Sequence, residues 1–279
     1  MGRITSWGET TMETHLYFDS QHLPAAKGEF VAWCDGMGTG QCLSRSLHGA
    51  ANSVFKLHSA FSIARQSLSA VRCYPVMDGV YVTSPTRGDM QKVLKSAFDE
   101  LAREFINRPR IKNMHMMRAG LAFGLTLHGA DISDEAFYGT YHGYTTTRDM
   151  FEQSSLDDVR HHVLLSPAMV LAYEAERSAP PFGVFVDDSA KSYPQLSDGS
   201  GSGFQSSLYQ WWAGDDATRQ TAAKLYEQIK FYLNKSDTHS VGLQYPRERI
   251  EKHRMLAEEY FGGLAKDEEP PQQPPERDK

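Results

Sequence analysis

The sequence predicts an α+β fold, a ferredoxin-like palm of the βαββαβ type followed by a C-terminal helical appendage. Residues 30–34 are apolar at every position, which is typical of a short strand that is buried on both faces. An Asp-Gly pair at positions 78–79 separates two further strand-like runs and indicates a hairpin. Apolar residues recur at helical spacing on both sides of this hairpin. The resulting order, β-α-β-β-α-β-α-β, contains the split βαβ units of a palm.

The elements of the palm follow one another along residues 29–188. Runs of β-forming residues predict strands over 30–34, 71–76, 80–83, 114–127 and 183–186. Apolar positions three and four residues apart predict helices over 54–68 and 86–105. Ser166 followed by Pro167 is a favoured helix start, and it opens a third helix over residues 168–177.

Composition sets the boundaries outside the palm. Residues 1–28 are polar and predict an N-terminal arm, and residues 189–206 are a Ser/Gly-rich connector. Two helices near 217–233 and 247–261 form the helical appendage of residues 207–265. Residues 266–279 are rich in Asp, Glu, Pro and Gln, which predicts a disordered tail.

Length, charge and cysteine content exclude several classes of protein. A chain of 279 residues with 40% hydrophobic content buries a core without disulfides, and three cysteines do not make a disulfide-dense secreted scaffold. There is no apolar run of 18 residues and no signal peptide is recognised, so we expect a cytoplasmic protein without stable membrane insertion. A net charge of −6 argues against a nucleic-acid partner.

Two aspartates stand at predicted strand ends. Asp35 follows the first strand, and Asp78 lies in the hairpin between the second and third strands. Because the first strand of a βαββ unit lies beside the hairpin, the two carboxylates are expected at one edge of the sheet. Such a pair suits two Mg²⁺ or Mn²⁺ ions, which proteins hold through few carboxylates together with substrate phosphates. The alternative is that Asp35 caps the next helix and Asp78 only makes the turn.

A glycine-rich turn follows Asp35. Gly36, Met37, Gly38 and Thr39 are expected to bind substrate, because main-chain N–H groups in such a turn can surround a triphosphate at the start of a helix. The Thr39 hydroxyl could donate to a phosphate or cap the helix.

Arg118 is the best cationic candidate of the palm, a single guanidinium on an otherwise apolar strand. It could contact the base or a phosphate in a bidentate manner. It could equally form an ion pair at the strand end with a carboxylate such as Glu174. The sequence leaves these two interpretations open.

Several runs resemble class III nucleotidyl cyclases. Residues 30–39 (FVAWCDGMGT) resemble their metal-binding strand and phosphate turn, and residues 74–82 (YPVMDGVYV) resemble their second metal-binding hairpin. Residues 118–124 and 172–181 resemble the following strand and the helix before the last strand, so the resemblance covers residues 29–188. It implies a cyclase domain with Asp35, Asp78 and the main chain of Gly36 as metal ligands, and with Asp35, Asp78 and Arg118 as catalytic residues.

The departures from that pattern concern the substrate. Met77 replaces the usual glycine, and Tyr74 stands where adenylyl cyclases carry the lysine that helps to read adenine. The asparagine and arginine of adenylyl cyclases fall near Val170 and Glu174 and are not matched. Strand alternation places Tyr74 on the face of Asp78, where a phenol suits a smaller base. With this tyrosine and the AYEAE run at 172–176, the chain resembles the pyrimidine cyclases of bacterial Pycsar anti-phage systems.

The resemblance implies a function and its partners. A pyrimidine nucleoside triphosphate, UTP rather than CTP, would become the 3′,5′-cyclic monophosphate and pyrophosphate in the bacterial cytoplasm. The active sites would lie between the subunits of a homodimer, and the product would act on a separate effector in defence against phage. The alternatives are a catalytically inactive nucleotide-binding or dimerisation module, and a purine nucleotidyl cyclase.

Overall fold

The structure is a computed structural model that describes residues 23–108, 115–133, 160–192, 204, 206–239 and 243–264. The predicted tail, residues 1–22 of the arm and most of the connector lie outside the described residues. The chain forms two compact units. One comprises Ala26–Thr126 and Leu165–Lys279, and contains every candidate site residue; the other comprises Met1–Ala25 and Leu127–Leu164.

The strand order confirms the predicted palm. The strands are β1 (Lys27–Gly36), β2 (Arg72–Val76), β3 (Gly79–Ser84), β4 (Met117–His128), β5 (Leu164–Leu165), β6 (Val184–Val186) and β7 (Leu208–Tyr209). Six of them follow the order β2-β3-β1-β4-β6-β7, and β5 pairs with β4. β1 runs antiparallel to β3 and β4, while β6 runs parallel to β4. The first strand is therefore central and lies beside the hairpin, as in a βαββ unit.

Three of the helices in the described residues begin at a hydroxyl side chain that caps them. They are α1 (Thr39–Arg45), α2 (Leu47–Ala64), α3 (Arg87–Ile106), α4 (Pro167–Glu176), α5 (Asp188–Ser192), α6 (Asp216–His239) and α7 (Arg247–Phe261). The hydroxyls of Ser46, Thr86 and Ser166 accept main-chain N–H bonds at the starts of α2, α3 and α4. In the part of the chain that is described, no helix is long and apolar enough to cross a membrane.

The alternation of side chains along β1 divides the core between the two faces of the sheet. Phe30 and Cys34 belong to the larger cluster, which includes side chains of α2 and α3. Val31 and Trp33 belong to the other cluster, with two alanines of α4. Because successive side chains point to opposite faces, Asp35 lies on the face that α4 covers.

The C-terminal helices share the core of the palm. Trp211 is fully buried, and its indole N–H donates to the carbonyl of Phe182 at 2.8 Å. The Trp211 ring lies 6.0 Å from that of Phe98 in α3, and buried side chains of α6 and α7 belong to the same cluster as those of α3. The segment expected as an appendage over residues 207–265 is thus packed into the larger cluster of the palm.

Gly120 of β4 makes the close packing of α4 on the sheet possible. A Cβ at this position would overlap the carbonyl oxygen of Ala172 and the main-chain nitrogen of Glu176. Because both atoms belong to the helix backbone, Gly120→Ala is expected to lower the free energy of unfolding by about 1–3 kcal/mol. Urea unfolding measures this change. Gly88→Ala is the control, since a Cβ there meets nothing within 4 Å, and equal losses in both variants would contradict the explanation.

Candidate active site

The sheet brings Asp35 and Asp78 to the same end of neighbouring strands. Asp35 of β1 pairs with Gly79 of β3, the residue that follows Asp78. On its other side, Asp35 pairs with Arg118 of β4. A Cβ at Gly36 would lie 3.5 Å from the carbonyl oxygen of Asp78, so the end of β1 and the hairpin are in close contact. The two carboxylates and the guanidinium thus belong to adjacent strand ends.

The electrostatic environment of Asp35 is unfavourable for its charge. Burial is the largest cause, and the negative charges of Glu176 and Asp78 add to it, so that the pKa of Asp35 rises from 3.8 to about 7. The positive charge of Arg118 and the N–H of Gly36 oppose this rise and do not cancel it. A carboxylate in this position would gain from a nearby cation.

The donors at this edge fit a divalent cation that is shared with a phosphate ligand. Among the described residues, no group of three or more His, Cys, Asp and Glu side chains could hold a metal ion. A cation here would be held by the carboxylates of Asp35 and Asp78, by the carbonyl of Gly36 and by phosphate oxygens. Few carboxylates together with substrate phosphates form the donor set that suits Mg²⁺ and Mn²⁺.

The local geometry bears on the alternative roles of the two aspartates. Helix α1 is preceded by Gly38, whose φ is 81°, and the helix has no side-chain cap, so Asp35 does not cap it. Asp78 lies in the two-residue connection between β2 and β3, where Met77 has a positive φ of 51°. The next residue, Gly79, has to be a glycine because the indole of Trp33 occupies the space that a Cβ would need. Asp78 therefore belongs to a tight turn as well as to the candidate site.

The turn after Asp35 uses two of its donors within the protein. The N–H of Met37 donates to the carbonyl of Met116 at 2.8 Å, and the Met37 side chain is buried in the core. The Thr39 hydroxyl donates to the carbonyl of Gly36 at 3.0 Å. Met37 therefore anchors the turn to the core. The N–H groups available to a phosphate would be those of the residues that follow Met37.

Arg118 forms a buried ion pair with Glu176, whereas the exposed Glu174 is not its partner. The side chain of Arg118 is 10% exposed, and its Nε donates to the Glu176 carboxylate. Its second contact is with the carbonyl of Arg177 at 3.5 Å. The expectation of Glu174 is wrong because Ala172, Ala175 and Glu176 form the inward face of α4. Sequence reasoning missed Glu176, although helical spacing from Ala172 could have found it.

Tyr74 lies on the same face of the sheet as Asp35. It pairs with Tyr81 of β3, and Tyr81 pairs with Trp33 of β1, whose ring centroid lies 4.4 Å away. This aromatic row is two residues from the row that contains Asp35 and Arg118. The Tyr74 side chain is only 6% exposed. The register therefore places Tyr74 on the face of Asp35, whereas Asp78, with which the sequence pattern grouped Tyr74, lies in the turn between β2 and β3.

A small cavity of about 50 Å³ adjoins the site on the side of α2 and α3. Its lining includes charged and polar side chains together with the turn after Asp35, namely Gly36, Thr39, Lys56, Asp78, Glu104, Arg108 and His115. Lys56 and Arg108 both contact Glu104, at 2.6 and 2.5 Å. Burial and the charges of Arg108 and Arg45 lower the pKa of His115. Sequence reasoning identified neither cation, and each is paired with a carboxylate.

Several solved structures with a similar chain path carry the names of nucleotide cyclases. The guanylyl cyclase domain of the RhoGC fusion protein from Blastocladiella emersonii is 12% identical, with a TM-score of 0.42 over 60% of this chain and 83% of that one. The guanylate cyclase domain of RhGC from Catenaria anguillulae, in complex with GTP, is 13% identical, with a TM-score of 0.41 over 60% and 81%. The adenylyl cyclase CyaB from P. aeruginosa is 12% identical, with a TM-score of 0.36 over 57% and 76%. No protein-family model and no curated protein matches the sequence.

Proposed function

We propose that the protein is a nucleotidyl cyclase that converts a pyrimidine nucleoside triphosphate, UTP rather than CTP, into the 3′,5′-cyclic monophosphate and pyrophosphate. The observation that carries the proposal is the pair of aspartates at adjoining strand ends, where the pKa of Asp35 is raised to about 7. A half-buried carboxylate beside a second one is costly for the fold, and a substrate-borne divalent cation would relieve that cost. The role in bacterial anti-phage signalling is proposed from the resemblance of residues 29–188.

The residues of the site have distinct roles in this reaction. The ribose 3′-oxygen loses its proton to solvent water and forms a bond to the α-phosphorus, while the bond from that phosphorus to the bridging oxygen breaks and pyrophosphate leaves with the electron pair. When bound, two divalent cations lower the pKa of the attacking hydroxyl and stabilise the leaving charge. Asp35, Asp78 and the carbonyl of Gly36 would hold them. Arg118, fixed by Glu176, places a positive charge beside Asp35 and thereby opposes the rise of its pKa.

The proposed preference for a pyrimidine rests on Tyr74. Its phenol lies on the Asp35 face and extends the aromatic row of Tyr81 and Trp33. A tyrosine ring in a base pocket offers a stacking surface and one hydroxyl. The ring also occupies space, so less room remains for the base. A single six-membered base ring fits such a pocket better than a purine does.

A homodimer is proposed because exposed apolar side chains occur on elements that carry the site. Met77 in the hairpin is 87% exposed, and Val170 and Tyr173 are exposed on the outer side of α4. Such residues are typical of surfaces that a partner subunit covers. Light scattering on the purified protein should give the mass of a dimer, and a monomer at micromolar concentration would contradict this part of the proposal.

A second candidate function is a cyclase-like module that binds nucleotide without turning it over. It is favoured by the exposed positions Val170 and Glu174, which carry neither the asparagine nor the arginine of adenylyl cyclases. The two functions differ in product, since only an active enzyme releases pyrophosphate from the triphosphate.

Incubation of the purified protein with each of the four ribonucleoside triphosphates and Mn²⁺ tests the proposal. We expect cyclic UMP as the main product, and we expect Tyr74→Ala to raise kcat/KM for ATP relative to UTP by about tenfold or more, because the pocket is enlarged. Cys73→Ala is the matched control, since Cys73 lies on the opposite face of β2, against α2. Product from ATP alone would contradict the role of Tyr74, and nucleotide binding without any product would favour the inactive module.

A further inference from the structure

The segment of residues 243–249 lies against the glycine-rich turn that follows Asp35. Leu243 is 2% exposed, and its Cδ2 lies 2.6 Å from the position of a Cβ at Gly38. Gln41 and Gln244 exchange two hydrogen bonds: the Gln41 amide donates to the Gln244 carbonyl at 2.7 Å, and the Gln244 N–H donates to Gln41 Oε1 at 2.8 Å. The segment is thus fixed to the turn and to helix α1.

The residues after Gln244 bring a positive charge to the same end of the sheet. Tyr245 follows directly, and the guanidinium of Arg249 lies over its ring at 3.8 Å from the ring centroid. Burial raises the pKa of Tyr245, the charges of Arg249 and Arg118 oppose that rise, and those of Asp35 and Glu176 add to it. Burial also raises the pKa of Glu176, and the charge of Arg249 is the smallest of the charges that oppose this rise, after Arg118 and Arg177. Contacts and electrostatics therefore agree that Arg249 lies near the carboxylates of the candidate site.

Arg249 differs from the other cations at this end in its partners. Arg118 is bound by Glu176, while Lys56 and Arg108 share Glu104. Arg249 is exposed, and among the described residues it forms no ion pair. A guanidinium that is held over an aromatic ring keeps its N–H donors free for a planar pair of phosphate oxygens.

We infer that residues 243–249 form one wall of the nucleotide site and that Arg249 binds the polyphosphate group of the substrate. The inference rests on the proposed function for the identity of that substrate. It places a substrate-binding residue on α7, well outside residues 29–188, which the sequence delimits as the catalytic domain.

Calorimetry with pyrophosphate and Mg²⁺ tests this inference, because pyrophosphate is the proposed product and carries the group that Arg249 would bind. Arg249→Ala is expected to weaken pyrophosphate binding by about tenfold or more, since a hydrogen-bonded charge is lost. The affinity of Arg249→Lys is expected to lie between those of the unmodified protein and Arg249→Ala. Arg247→Ala is the matched control, an exposed arginine two residues earlier on the same helix, and it should bind within twofold of the unmodified protein. The melting temperatures of all three variants should agree with that of the unmodified protein.

The outcomes separate this inference from the proposed function. If the unmodified protein makes a cyclic nucleotide and Arg249→Ala binds pyrophosphate as tightly as Arg247→Ala, the inference is wrong and the cyclase stands. If the unmodified protein makes no cyclic nucleotide, but Arg249→Ala binds pyrophosphate more weakly than the unmodified protein does, the polyphosphate site is supported and the cyclase is not. If it neither makes product nor binds pyrophosphate, both are overturned.

Discussion

Asp35→Asn is expected to abolish formation of the cyclic nucleotide, with a loss of about a thousandfold or more in kcat. An asparagine side chain carries no charge, so it cannot take the place of a carboxylate in holding divalent cations between Asp78 and the substrate phosphates. The substitution preserves the shape of the side chain. The loss of activity should therefore occur in a folded protein, which circular dichroism can verify.

The same substitution is expected to stabilise the fold at high pH. The pKa of Asp35 is about 7 in the folded protein against 3.8 in the reference state, so folding disfavours the charged form. The cost of this charge is absent below pH 3.8, grows as the pH rises toward 7 and is complete above it. Three pKa units correspond to an upper bound of about 4 kcal/mol, and partial solvent exposure reduces the expected gain to about 2 kcal/mol.

Urea unfolding of both proteins at pH 8 and pH 5 measures this effect. The advantage of Asp35→Asn should be larger at pH 8 than at pH 5, because the unmodified carboxyl is protonated in the folded state at the lower pH. Asp89→Asn is a suitable control, since Asp89 is a half-buried aspartate at the start of α3 that forms an ion pair with the exposed Lys92. A lower stability of Asp35→Asn at pH 8, or retained activity, would contradict the account of the site.

Glu176→Ala is expected to cost about 3–5 kcal/mol of unfolding free energy. Its carboxylate is the buried partner of Arg118, and removing it leaves a guanidinium that is almost fully buried without its counter-charge. Burial raises the pKa of Glu176, and the charge and hydrogen bond of Arg118 oppose that rise, so the pair depends on mutual compensation.

Thermal or urea unfolding tests this prediction by comparing the free energy of unfolding of Glu176→Ala with that of the control variant Glu174→Ala. Glu174 lies on the exposed side of the same helix two residues earlier, so its substitution should change the free energy of unfolding by less than about 0.5 kcal/mol. Equal effects of the two variants would mean that the ion pair does not anchor α4 to the sheet.

Most of the palm could be predicted because its elements carry local signals. The apolar run at residues 30–34 and the Ser166-Pro167 helix start appear at the predicted places, and the hairpin turns at Met77 and Asp78, with Gly79 as the first residue of β3. The extension of β1 to Lys27–Gly36 could not be predicted, because it follows from pairing with β4, which continues to Lys27 opposite Thr126. Helices α1 and α5 have only seven and five residues, too few for a helical period to be recognised.

The candidate site divides in a similar way. Asp35 and Asp78 could be paired from the sequence because a central first strand beside a hairpin is a property of the βαββ topology. The partner of Arg118 was missed by two residues, because Glu174 lies on the exposed side of α4 whereas Glu176 shares the inward face with Ala172 and Ala175. The contact of Gln244 with Gln41 joins residues 203 positions apart, and such a contact leaves no local pattern.

Phosphorus NMR of the protein with UTP and Mg²⁺ tests the central claim most directly. If the strand-end aspartates form a cyclase site, the three UTP resonances should give way to equal amounts of pyrophosphate and a cyclic phosphodiester, and the spectrum with Asp35→Asn should show UTP alone. Persistent UTP with the unmodified protein, or its conversion to UDP and phosphate, would contradict the claim.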